Sequence, residues 1–115
     1  MKDIIEKAWE DRELLKKNDV KKSILNVIEK LDNGELRVAS PTKTGWIINE
    51  WIKKAVILYF PIKKMETMNA GPLEFHDKIP LKSNYAEKDV RVVPHAVARK
   101  GSYISPGVIL MPSFV

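Results

Sequence analysis

The sequence predicts an α+β protein in three parts. A small α-rich N-terminal domain covers residues 1–61, a loop-rich connector covers 62–89, and residues 90–115 open a parallel β-helix built on a hexapeptide repeat. Three observations predict this. Apolar residues recur at helical spacing through the N-terminal half, Gly and Pro break up the middle, and the last 24 residues divide into hexads beginning at Val92, Ala98, Ile104 and Leu110. The first hexad position is aliphatic and the fifth is small or apolar (Ala96, Ser102, Val108, Phe114), while Pro94, Pro106 and Pro112 share the third. A period of six is neither helical nor alternating; it fits a coil whose flat sides each take one hexad and turn its first side chain inward. Gly101 and Gly107 suit corners because glycine tolerates positive φ. A proline-rich tail making one irregular strand is the simpler alternative, but it explains none of the three features recurring in phase.

In chain order, Ile4, Ile5, Ala8, Trp9, Leu14 and Leu15 form one apolar stripe, which predicts an amphipathic helix from Asp3 to Lys17. Asp19 is placed to cap a second helix from Val20 to Leu31, striped by Ile24, Val27, Ile28 and Leu31 and stopped by Asn33-Gly34. Residues 35–40 and 45–48 alternate across Pro41-Thr42-Lys43-Thr44, the pattern of a small hairpin. Asn49 would cap a third helix from Glu50 to about Tyr59, ended by Pro61 because the residue before a proline is pushed out of helical geometry. Beyond it, Asn69-Ala70-Gly71-Pro72, Asp77-Lys78 and Pro80 break the pattern into a loop-rich connector with room for one short strand before Val90.

Composition bounds the function. The chain of 115 residues has no cysteine, which removes disulfides, thiolate metal sites and a cysteine nucleophile together. Its N-terminus mixes acids with bases where a signal peptide needs an apolar core, and its longest apolar run, 55–61, is far too short for a bilayer, so a soluble protein is expected. The net charge of +5 invites an anionic partner. The lysines, however, are scattered in pairs among acids with no recognition motif beside them, so nucleic acid is not the expected partner.

Few residues are candidates for chemistry. Glu74, His76 and Asp77 crowd together, yet metal ligands are usually gathered from separate elements, so solvated loop residues are expected and no metal. His95, at a hexad corner, could serve as a general base but suits a packed or solvated corner better. Arg91 is more pointed. It alternates out of phase with Val90 and Val92, so its guanidinium faces outward at the junction of the two units, where two parallel hydrogen bonds could hold a carboxylate. A surface or interdomain ion pair is the competing reading.

The segments LRVA (36–39), WIINEWIKKAVILYF (46–60), VRVVP (90–94) and GSYISPGVILMPSFV (101–115) together resemble the N-terminal part of the tetrahydrodipicolinate N-succinyltransferase family. His95 replaces a second proline that commonly follows VRVVP in that family, and residues 63–85 match it poorly. The resemblance implies a left-handed coil, a cytoplasmic homotrimer of lysine and diaminopimelate biosynthesis, and no permanently bound cofactor. Succinyl-coenzyme A would be the cosubstrate and a dicarboxylate the acceptor, whose carboxylate would meet Arg91. It also implies that the acids that deprotonate the acceptor amine, and most of the coenzyme A groove, lie on later coils. The hexads break off without a polar cap, so the chain is expected to be the opening of a longer protein, inactive alone, or a non-catalytic module that pairs through its open edge. A small basic nucleic-acid binder is the more distant alternative.

Overall fold

The computed structural model describes all 115 residues and has the α+β composition expected, with three α-helices and six short strands. The first stripe does not make one helix. Helix α1 (Lys2–Glu10) stops at Asp11, and a 3-10 turn occupies Arg12–Lys16. Asp11 adopts extended backbone, φ −133° and ψ 98°, and its carboxylate accepts the Glu13 N–H at 3.1 Å. That side-chain bond competes with helix continuation, and the change of pitch still lets Leu15 reach the core.

Helix α2 (Asn18–Asp32) starts earlier than expected. Lys17 holds the cap position without a side-chain bond, and Asp19 lies in the first turn, where its charge faces the positive end of the helix dipole. Gly34 ends the helix at φ +83°, its N–H donating to the Leu31 carbonyl at 3.2 Å. A Cβ there would meet the Tyr103 ring at 2.9 Å, so glycine is needed for the turn and for the close approach alike.

Strands β1 (Ala39–Thr42) and β2 (Gly45–Ile48) pair antiparallel as expected, but Pro41 and Thr42 belong to the strand rather than the connection. The turn is only Lys43-Thr44, closed by the Thr42 hydroxyl, which donates to the Gly45 carbonyl at 2.8 Å and accepts the Thr44 N–H at 3.3 Å. Pro41 is tolerated because a two-stranded ribbon has a free edge on each side.

Helix α3 (Glu50–Ile62) runs through Pro61, which loses a single bond in the last turn and does not end the helix one turn sooner. Asn49 does not cap it with its side chain. Its amide instead donates to the Arg37 carbonyl at 2.7 Å and to Ser40 Oγ at 3.4 Å, fastening the hairpin to the start of α3. The three helices share a core centred on Ile5, Ile24, Val27, Ile52 and Leu58, all fully buried. No helix is long and apolar enough to cross a membrane.

The middle segment is more regular than its sequence suggests. Strands β3 (Glu66–Ala70) and β4 (Leu73–Asp77) form a second antiparallel hairpin around Gly71-Pro72, so Glu74, His76 and Asp77 lie on a strand and not in a loop. Gly71, at φ +62°, occupies the first of the two turn positions, where a hairpin turn of matching twist requires glycine.

Strands β5 (Arg91–Val92) and β6 (Ile109–Leu110) pair in parallel, Arg91 beside Ile109 and Val92 beside Leu110. The ladder continues with Val97 N–H to the Ser113 carbonyl at 2.8 Å, Val115 N–H to the Val97 carbonyl at 2.9 Å, and Arg99 N–H to the Val115 carbonyl at 3.0 Å. Residues 108–115 therefore lie as a second layer along residues 91–99.

Candidate functional site

Arg91 stands on the outer face of β5. Its N–H donates to the Val108 carbonyl at 3.0 Å, its neighbours Val90 and Val92 turn inward, and its own side chain is exposed beside Ile109, which is 54% exposed. The guanidinium takes part in none of the seven ion pairs, from Lys16–Glu13 to Lys100–Glu29. It lies on open surface and lines none of the four main clefts.

His95 is exposed at a corner of the hexad segment. On β4, His76 Nδ1 lies 3.3 Å from Thr67 Oγ1, while Asp77 turns to Arg99, whose Nη2 donates to Asp77 Oδ2 at 3.2 Å. These partners draw the two side chains into separate contacts, and no group of three His, Asp or Glu side chains is close enough to share a metal ion.

The junction of the helices with the hexads gathers residues that carry no local signal in the sequence. Asp32 ends α2, where a negative charge faces the negative end of the helix dipole. Lys82 offsets that. Its ammonium donates to Asp32 Oδ1 at 2.6 Å and to the Asp32 backbone carbonyl at 3.2 Å, and its side chain is 2% exposed. Asp32 Oδ1 also accepts the Gly101 N–H at 2.8 Å, so one carboxylate ties the helix, the loop and the second hexad. Burial alone would push the Asp32 carboxyl up, but Lys82, the Gly101 N–H and the more distant Lys100 outweigh it and hold it below its ordinary value. Lys100 bonds Glu29 at 2.6 Å, and chiefly through that bond its ammonium is pushed above its ordinary value.

Two apolar clefts flank this seam. One, of about 210 Å³, lies between Ile28, Leu31, Tyr59 and Phe60 on the helices and Gly101 and Val115 on the hexads. Burial raises the Tyr59 phenol there. The other, of about 260 Å³, runs under the second hairpin between Met68, Phe75, Leu81 and Phe114. Arg99 borders both, its guanidinium 5.7 Å from the ring centres of Phe60 and Phe114, and its buried Nε has no acceptor. Tyr103 completes the docking, stacked under Arg37 at 4.5 Å. Lys82 and Asp32 sit fifty residues apart on a loop and a helix end, and no period connects them.

Comparison with known proteins places the chain among named relatives. Residues 1–62 match the family described as tetrahydrodipicolinate N-succinyltransferase N-terminal. Over 126 residues, covering 100% of this chain and 46% of the relative, the chain is 46% identical to the 2,3,4,5-tetrahydropyridine-2,6-dicarboxylate N-succinyltransferase of Variovorax paradoxus (strain S110). It is 45% identical to the protein of the same name from Cupriavidus metallidurans, covering 97% of this chain and 45% of that one. The Pseudoalteromonas translucida protein of that name is 41% identical, with 100% and 45% covered. The chain thus spans about half the length of the curated relatives it matches.

Proposed function

From the premise that the chain belongs to the tetrahydrodipicolinate N-succinyltransferase family, we propose that it is the N-terminal portion of an enzyme transferring a succinyl group from succinyl-coenzyme A to the amine of a ring-opened dicarboxylate. In this reading residues 1–61 are a helical domain, 62–89 a connector, and 90–115 the first coil of a left-handed β-helix. The observation that carries it is the parallel register: both β5–β6 pairs join residues eighteen apart, three hexads and so one turn of a three-sided prism. The burial pattern supports it, since Ala98 is buried and Val92, Ile104 and Leu110 are half-buried at the first hexad positions, whereas Ile109 points out.

Within the complete enzyme, a cytoplasmic homotrimer of lysine and diaminopimelate biosynthesis, Arg91 binds the acceptor's carboxylate. An exposed fork of donors on a strand held by a ladder bond at its own N–H can form two parallel charge-assisted bonds and set the acceptor's orientation before the acyl group arrives. The transfer also needs an unprotonated amine and a stabilised oxyanion, which later coils would supply. No resident cofactor is needed: the acyl donor is a cosubstrate.

The experiment is direct. Arg91→Ala in the chain joined to the remaining coils should raise the acceptor KM, with a loss of about 2 kcal/mol in kcat/KM and little change toward succinyl-coenzyme A. Equal weakening of both substrates would make Arg91 structural. The 115-residue chain alone should release no thiol from succinyl-coenzyme A, and robust turnover would overturn the assignment of the chemistry to later coils.

One observation favours a second reading, a pairing module. Ile109, Met111 and Phe114 are 54%, 63% and 71% exposed along the outer layer, an unprotected strand edge of the kind other strands add to. Restored activity on mixing with separately made later coils would join the two readings.

A further inference from the structure

A polar cleft of about 220 Å³ lies between the end of α2 and the loop that carries Lys82. Three lysines line it, Lys82, Lys88 and Lys100, with the acids Glu29 and Asp32. Both acids are already matched, Asp32 by Lys82 at 2.6 Å and Glu29 by Lys100 at 2.6 Å. Lys88 has no acid, so the cleft carries one uncompensated positive charge. An ammonium also has three donors, and the almost fully buried Lys82 sends only two of them to acceptors, both on Asp32. Ser83 and Asn84 add a hydroxyl and an amide to the wall, and neither side chain is engaged elsewhere in the chain. Asn84 holds φ at +60°, an uncommon conformation for a residue with a side chain, which fixes its position in the loop.

Converging donors, one excess cation and a buried ammonium with a spare N–H are what a small oxyanion requires. We infer that this cleft binds a small oxyanion, a carboxylate or phosphate group, seated between Lys88, Lys82 and the Ser83-Asn84 turn. Arg91 does not line the cleft, so the inference stands or falls independently of the acceptor site proposed above.

The test is a titration of the 115-residue chain with inorganic phosphate and, separately, with acetate, in low-chloride buffer, followed through backbone amide NMR shifts. Saturable shifts confined to Ser83, Asn84, Lys88 and Gly101 are expected with at least one probe, and the comparison decides between phosphate and carboxylate. Lys88→Gln should weaken that binding about tenfold. Lys43→Gln, which removes a lysine of the first hairpin's turn, should leave it unchanged. Unsaturating shifts spread over all lysines, or equal loss in the two variants, would reduce the effect to general charge attraction and overturn the inference. The Lys88 side chain makes no bond in the folded chain, so a thermal melt of Lys88→Gln matching the parent excludes unfolding as the cause.

Discussion

The helical half and the hexad half of this molecule hold themselves together differently. In the first, Ile5, Ala8, Ile24, Val27, Ala55 and Leu58 are each completely buried against one another across three helices. In the second, from Val92 onward, only Ala98 reaches that state, while Met111 and Phe114 are 63% and 71% exposed. The helices own their core. The hexads obtain most of their order at the seam, through Asp32 and Gly101, Glu29 and Lys100, and the Tyr103 ring lying on Gly34. Short paired strands with apolar side chains left in water cannot bury them against one another, whereas a helical bundle closes on itself.

The contrast can be broken from either side. The largest effect is expected from Leu58→Ala, which opens a cavity in the self-sufficient core and should lower stability by about 3–4 kcal/mol, with helical and hexad signals lost together in urea denaturation. Hexad structure surviving loss of the helices would contradict the dependence described here. Next comes the seam itself. Lys82→Met leaves the Asp32 carboxylate without its ion-pair partner, and about 3 kcal/mol should be lost, somewhat below a fully buried pair because Asp32 keeps its Gly101 bond and the more distant Lys100 and is 15% exposed.

That second loss should depend on pH, with a definite sign. The folded Asp32 is held below its ordinary value of 3.8, so its contribution is complete above that value and disappears as pH falls through the lowered folded value. The stability gap between parent and variant should therefore narrow below about pH 3.8, and a constant gap down to pH 2 would remove Asp32 from the explanation. The smallest effect sharpens the contrast: Phe114→Ser should change the melting of the 115-residue chain by less than about 0.5 kcal/mol, since the ring is mostly in water already. A large loss would mean the hexads carry a core of their own.

What was legible in the sequence follows the same divide between local and distant causes. Ile24, Val27, Ile28 and Leu31 announce their helix because each turn repeats the signal, and the hexads are read by their period of six in the same way. The ends of elements were less legible. Asp11 breaks the first stripe through a bond to a backbone N–H two residues on, and Pro61 sits inside the last turn of α3 because a helix can lose one bond there cheaply. The second hairpin is hidden although Gly71-Pro72 lies between alternating residues, because its polar strand residues Glu66, Thr67 and Asn69 mimic a loop. Arg91 was readable as an outward arginine from alternation alone. Asp32, Lys82 and Lys100 were not, because their partners are brought near only by the finished fold.

The ammonium of Lys82 seals the terminal carbonyl of α2 with the same side chain that grips its carboxylate, and the Gly101 amide hangs from that carboxylate. Swinging the hexads away from the helices would thus unseal the helix, so the seam resists flexing as a hinge. It also means that the azimuth at which the hexad segment departs is inherited from where α2 stops. Inserting one residue upstream in that helix would rotate the attachment point by about 100°, and the hexad segment would have to swing with it or come loose.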